Sequence, residues 1–218
     1  MSPKSLSEIL DRSAREHAHL CPRQILGARM GQAGLAALGF DQPPAGKRLL
    51  ILIETDGCFL DGLSAATDCT PGHRTLRIED QGKTAAVFVD TATARAVRVS
   101  PQLDIRARAA RHAPAEPRRY FAQMEAYRSM PAEELFRSTP VRLHAAIAAI
   151  VSRPGVRVCC AACGEEIMNE RTVSSAAGEL CLACAHGGYY TVLGEEPASP
   201  ATGFLRANCQ PLSSRQNP

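Results

Sequence analysis

Apolar side chains recur at helical spacing from Leu6 through Ile9, Leu10 and Ala14, one face of an amphipathic helix. Ser5 and Glu8 ahead of them form an S-x-x-E capping box. This helix is expected to end near His17. A second begins at Pro22, a residue suited to the first helical position, and runs through Ile25, Leu26, Met30 and Ala33 to Leu38. Gly39 supplies its stop signal. The continuous apolar run over 49–53 predicts a buried strand. After a break at 54–57, residues 58–66 predict a short helix, followed by a turn-rich stretch over 67–74. Three short strands are expected over 75–79, 84–90 and 95–99. Asp80-Gln81-Gly82-Lys83 is a turn signal between the first two, so the pattern predicts an antiparallel meander.

Beyond residue 100 the pattern weakens. Residues 101–119 are rich in Arg and Ala and are interrupted by Pro114 and Pro117. Helices are expected around 118–128 and over 131–136, and 144–151 is another short apolar segment. The arginines Arg106, Arg108, Arg111, Arg118 and Arg119 read first as a solvated helix face and second as an anion contact. From residue 194 onward Pro, Ser, Glu and Asn dominate, which predicts a loosely ordered tail.

Composition narrows the function classes. The chain has 218 residues, 45% hydrophobic and 22% charged, as expected of a globular protein with one medium domain and a small appendage. Aromatics make up only 5%, without Trp, and the net charge is +3. Neither supports a nucleic-acid partner. No apolar run approaches the roughly 20 residues of a membrane span, and residues 1–11 are too polar for a secretory signal. A cytoplasmic location without a membrane partner is the expectation. Nine cysteines is a high count for that compartment, where thiols bind metal or do chemistry more often than they form disulfides.

Four of those cysteines form two C-x-x-C pairs, Cys160/Cys163 and Cys181/Cys184, with seventeen residues between them. Two intervening residues let both thiolates of a knuckle reach one tetrahedral ion at about 2.3 Å. Gly164 follows the first knuckle, where positive φ is common. The stretch 167–179 suits a small hairpin. So small a module needs the metal for its folding energy. Two facing pairs fit a metal better than a redox role. A closed four-thiolate site leaves no open coordination position, so this zinc is expected to be structural. Cys159 and His186 are read as bystanders.

The second chemical feature is His17-Ala18-His19-Leu20-Cys21-Pro22. Its three ligand-type side chains alternate, so they share a face only in an extended segment. Pro22 disfavours helix at Cys21 and permits one immediately afterwards. Cys21 is therefore expected at a helix N-cap, where the dipole and free N–H groups favour a thiolate, as metal ligand or nucleophile. Cys58 and Asp61 follow a buried strand at i, i+3 spacing, on one face of the next helix. Cys69 and His73 lie in a tight turn, a weaker signal, since a small thiol also packs well.

Taken in order, these segments resemble the FmdE family, named after a component of formylmethanofuran dehydrogenase. The family's H-x-H-x-C-P segment is matched by residues 17–22, and its strand ending in Glu followed by Cys and Asp is matched by Glu54, Cys58 and Asp61. Its Cys-Thr turn is matched by Asp68-Cys69-Thr70-Pro71-Gly72, its Gly-Lys hairpin by Gly82-Lys83, and its A-V-R-V strand by Ala96-Val97-Arg98-Val99. Many members end in C-x-x-C-G-E…C-x-x-C, matched from Cys160 to Cys184. The resemblance spans roughly residues 5–192. Arg23 and Asp68 stand where the family usually has Gly, and both are expected to bring charge near the site.

The resemblance implies an α+β fold: helices on a small, mostly antiparallel sheet, with a thiol- or metal-bearing cleft, followed by a treble-clef or zinc-ribbon-like finger. The expected organisation is a core over 1–150, a finger over 151–193 and a tail over 194–218. His17, His19, Cys21 and Cys58 are the expected ligands of a second transition metal, zinc included, with Asp61 orienting a ligand or moving a proton. Cys21, Cys58 and Asp61 are the candidate catalytic residues if the protein is a thiol enzyme. The family's link to a molybdenum or tungsten enzyme of one-carbon metabolism implies an oxidoreductase subunit as partner. A homodimer is the default assembly. The alternative is a finger-bearing regulator that contacts RNA polymerase or another protein.

Overall fold

Ser5 opens the first helix, α1 (Leu6–His17), with the reciprocal bonds of a capping box. The Glu8 carboxylate accepts from the Ser5 N–H at 2.7 Å, and the Glu8 N–H reaches the Ser5 hydroxyl at 3.3 Å. In the computed structural model, residues 4–17, 19–144, 147–151, 156–168, 171–190 and 193 are described, the side chains of Glu16, His17, Ala148 and Ala149 excepted. The tail expected over 194–218 lies outside them. The chain divides into two units, Met1–Val151 and Ser152–Pro218. No helix among the described residues is long and apolar enough to cross a membrane.

Helix α2 (Pro22–Leu38) begins and ends where its punctuation predicts. Cys21 is extended at the N-cap and Pro22 opens the first turn. Gly39, at φ 81°, closes the helix. The Gly39 N–H bonds to the Ala36 carbonyl and the Phe40 N–H to the Leu35 carbonyl, both at 2.9 Å, which is a Schellman motif.

The sheet of the first unit has five strands: β1 (Leu49–Ile53), β2 (Leu76–Ile78), β3 (Ala86–Asp90), β4 (Ala96–Pro101) and β5 (Phe136–Val141). Their spatial order is β2-β1-β3-β4-β5. Strand β1 is apolar throughout because both sheet faces are covered. Leu49, Ile51 and Ile53 join the main core with the helices, while Leu50 and Leu52 face a smaller cluster with Val89, Ala96 and Ile150.

The expected meander is corrected here. Strand β2 does not pair with β3; it lies parallel to β1, joined to it through helix α3 (Cys58–Thr67). A parallel neighbour needs such a crossover. Strand β3 then pairs antiparallel with the other edge of β1 and with β4. Strand β5 was not foreseen. The helix expected over 131–136 stops at Leu135 (α6, Ala132–Leu135), and Phe136 opens an edge strand paired with β4. Most of its side chains are exposed and it contains Pro140, so it carries no apolar pattern.

Helices α4 (Ile105–His112) and α5 (Arg119–Ser129) complete this side of the core, and α7 (Ile147–Ile150) covers the other face through Ile147 and Ile150. Arg29 of α2 caps α5, donating to the carbonyls of Tyr127, Arg128 and Met130 at 2.9, 2.9 and 2.7 Å. Helix α2 approaches α3 closely because glycine stands at the contacts. A Cβ on Gly62 would sit 2.0 Å from the Gln24 carbonyl oxygen, and one on Gly27 2.1 Å from that of Phe59. Both obstacles are backbone, so neither can yield without separating the helices.

The second unit holds two hairpins and a helix: β6 (Arg157–Cys159) with β7 (Glu166–Met168), β8 (Thr172–Ser175) with β9 (Gly178–Cys181), then α8 (Leu182–His186). The hairpin expected over 167–179 is present as β8 and β9, shifted toward the second knuckle. Residues 166–168 turn back on the strand before the first knuckle, and a separate hairpin leads into the second.

Two expected outcomes test this packing. Gly62→Ala should cost at least about 2 kcal/mol in urea denaturation, and a cost near zero would contradict the close contact. Asp90 is 3% exposed and accepts from Arg48 Nε and Nη2 at 3.2 Å, from the Ala92 N–H at 3.0 Å and from the Thr93 hydroxyl at 3.0 Å. The Arg48 bond leads in holding its carboxyl below the usual range. A lowered native pKa stabilises the fold above the unfolded value and loses that contribution as pH falls. Asp90→Asn should cost about 2 kcal/mol at neutral pH, and the deficit should shrink in melts run at progressively lower pH.

Candidate functional site

Cys21 and Cys58 are 37 residues apart in sequence, yet they meet at the N-terminal ends of α2 and α3. A buried amide sets the first of them. Gln24, fully buried, accepts from the Cys21 N–H at 2.8 Å and donates to the carbonyl and hydroxyl of Ser13 in α1 at 3.2 and 3.1 Å. The side chain at the third helical position thus reaches back to the N-cap, half of a capping box with cysteine as the cap. Gly57, at φ 71°, turns the chain so that Cys58 is the first residue of α3.

Cys21 is buried and Cys58 half-buried. Burial pushes the Cys58 thiol up, followed by its hydrogen bond to Cys21, the charge of Cys21 and, last, the negative field of Asp61. In the protein alone, then, the Cys58 thiol holds its proton, and a cation bridging the two sulfurs would reverse the balance. Asp61 lies one turn further along α3, half-buried, and His19 is exposed on the segment before Cys21. The side chain of His17 is outside the described residues.

Glu54, at the end of β1, does not stand among the thiols as a ligand. Its carboxylate grips Arg98 of β4 with two bonds of 2.6 Å. The Glu54 carbonyl accepts from the N–H groups of Gln81 and Lys83 at 2.9 and 3.1 Å, which draws that loop to the strand end.

The structure separates Cys69 and Asp68 from this pair. They follow the C-terminal end of α3, ten residues long and so about 15 Å from Cys58. Cys69 is a core residue, 3% exposed, with its thiol on the Leu49 carbonyl at 3.8 Å and pushed up to about 11 by burial. Asp68 takes the left-handed conformation, φ 57°, where the family's glycine would be unstrained. Lys4, at 2.7 Å, and Arg12 meet its charge. The expectation that Asp68 brings charge near the site is corrected. Arg23 does lie beside Cys21, exposed on the first turn of α2. The signals missed in the sequence were Gln24, three residues after Cys21, and the helical glycines Gly27 and Gly62.

In the second unit the four knuckle cysteines come together, their sulfurs all within 4.8 Å of one another. A tetrahedral ion with bonds of about 2.3 Å sets its sulfurs about 3.8 Å apart, so the set fits. The Cys181 N–H points at Cys160 Sγ and the Cys184 N–H at Cys181 Sγ, both at 3.3 Å. The Gly164 N–H closes the first knuckle on the Cys160 carbonyl at 2.9 Å, with Gly164 at φ 78° as expected. Against burial, the N–H groups of Cys163, Cys181 and Ala162 bring the Cys160 thiol down to about 6. Its hydrogen bond to Cys181 leads in pushing the Cys184 thiol up to about 12. Four clustered thiols cannot all ionise without a cation. Cys181 ends β9 and Cys184 lies in the first turn of α8, so a strand–knuckle and a helix start face each other, as in a treble clef. Among the described residues these four are the one group of three or more such side chains placed to hold an ion.

The chain resembles proteins already known. Over 102 residues, 45% of the chain, the sequence is 34% identical to a probable S-adenosyl-L-methionine-binding protein of Archaeoglobus fulgidus. The match spans only 28% of that relative's length. The fold resembles the crystal structure of a tungsten formylmethanofuran dehydrogenase FmdE-like protein from Syntrophus aciditrophicus, with a TM-score of 0.56 and 22% identity, over 86% of this chain and 96% of that one. The family model described as FmdE, molybdenum formylmethanofuran dehydrogenase operon, matches residues 16–137, a span that holds Cys21, Cys58 and the whole sheet but for its last residues. The chain belongs to the FmdE family.

Proposed function

We propose that the core of this FmdE-family protein is a metal centre built on Cys21 and Cys58, with His17 and His19 completing the ligand set, and that the finger's four thiolates hold a structural zinc. The observation that carries this reading is the meeting of two thiols at two helix N-termini, where one cation would reach both sulfurs and displace the proton that burial holds on Cys58. Imidazole and thiolate together suit zinc, iron or nickel. Asp61, one turn along α3 from Cys58, would orient a ligand or move a proton. A metal there would act as Lewis acid or activate bound water. The family's name supports a role in formyl or formate metabolism, as an accessory to a molybdenum or tungsten oxidoreductase or as a stand-alone protein of that chemistry.

The finger's closed set of four ligands leaves it outside the chemistry. It serves as a folding device and a contact surface. A regulatory role on RNA polymerase would need only the finger and would leave the core pair without a task.

Elemental analysis of the purified full chain should find two metals per molecule. The double variant Cys21→Ala/Cys58→Ala should retain one, and Cys163→Ser should lose the finger's metal while the core domain melts as before. One metal per molecule, unchanged in the core double variant, contradicts the core centre. Affinity capture that recovers RNA polymerase, and no oxidoreductase subunit, favours the regulatory reading. For the finger, proton competition predicts metal release as pH falls, followed with a chromophoric chelator.

A further inference from the structure

Beside the start of α2 the first unit has an open cleft of about 640 Å³. Its walls come from six parts of the chain: the start of α2, the loop before β3, the end of β4, the start of α4, helix α5 and the edge strand β5. Five of its lining side chains are cationic, namely Arg23, Lys83, Arg98, Arg106 and Arg137. One is acidic, Asp104.

The charges do not cancel within the cleft. Asp104 is engaged from its own helix by Arg108 at 2.7 Å and Arg111 at 3.8 Å. Arg98 is neutralised by Glu54. Among the described residues, Arg23, Lys83, Arg106 and Arg137 have no carboxylate within salt-bridge distance. Four unmatched cations thus face one concavity. Two are fixed by the fold rather than by chance. Arg137 pairs in register with Ser100 and donates to its hydroxyl at 3.0 Å. Lys83 is anchored through its N–H on Glu54. Converging like charges repel one another, and a bound anion relieves that repulsion. Guanidinium groups bind phosphate and carboxylate through paired, charge-assisted bonds. Below the cationic rim, the buried side chains of Leu26, Ala85 and Ile105 add an apolar floor that suits the body of an organic molecule.

We propose that this cleft binds a small organic anion carrying two or more negative charges as phosphate or carboxylate groups, held by Arg23, Lys83, Arg106 and Arg137. None of these four is a candidate metal ligand, so the proposal stands apart from the metal reading. The sequence places the four cations across 115 positions, 23 to 137 inclusive, which hides their convergence.

Isothermal titration calorimetry of the full chain, at constant ionic strength, tests it with pyrophosphate and with citrate as probes. Saturable binding of at least one probe is expected. Arg23→Ala and Arg106→Ala should each weaken it by about tenfold or more, the loss expected of charge-assisted bonds. Arg95→Ala, in the turn before β4 and outside the cleft, should leave the affinity unchanged. All three side chains are exposed, and melting curves without ligand verify that the variants fold. Tighter binding of pyrophosphate identifies a phosphate ligand, and tighter binding of citrate a polycarboxylate. The proposal is overturned if neither probe saturates, if both cleft variants bind as well as the parent, or if Arg95→Ala weakens binding as much as Arg106→Ala.

Discussion

The backbone-to-backbone contact of α2 with α3 is the constraint on which the rest of the core depends. Gly27 and Gly62 leave no room for a Cβ against the facing carbonyls of Phe59 and Gln24. Only at that distance do the two helix starts bring Cys21 and Cys58 into contact. The same approach buries Gln24, whose amide then ties Cys21 to Ser13 of α1. One contact thereby fixes the spacing of three helices and the geometry of the thiol pair.

Charge is organised around that thiol pair rather than in it. Glu54 commits its carboxylate to Arg98 and its carbonyl to the loop that carries Lys83. Arg23 follows Cys21 by two residues and opens onto the cationic cleft. A thiol pair at two positive helix ends, next to unmatched cations, makes an environment that favours anions in general. The finger solves a different problem. Its four thiols lie within 4.8 Å of one another, a set that one tetrahedral ion would close, with no coordination position left open.

Much of this was legible in the sequence because it is set locally. Ser5 with Glu8, Pro22 after Cys21, and Gly39 after Leu38 each mark a helix end through bonds made within one turn. The finger was legible because two C-x-x-C pairs admit few geometries. Strand partners were not legible from turns. The turn at 80–83 shows where the chain reverses, and the helix between β1 and β2 was the better guide to their parallel pairing. Strand β5 carries exposed polar side chains and a proline, so only its partner β4 defines it. In the candidate site, Cys21 at its N-cap was foreseen, whereas Gln24 and the glycines act through contacts that spacing alone does not display. Cys69 looked chemical by its neighbours and proved to be core, since burial is a property of the fold.

The central claim is that the two helix starts share a metal. Anomalous diffraction from crystals of metal-replete protein, recorded across the zinc, nickel and iron edges, tests it most directly. The account predicts two peaks per chain, one within the four finger cysteines and one between Cys21 Sγ and Cys58 Sγ. A single peak, in the finger alone, would contradict it.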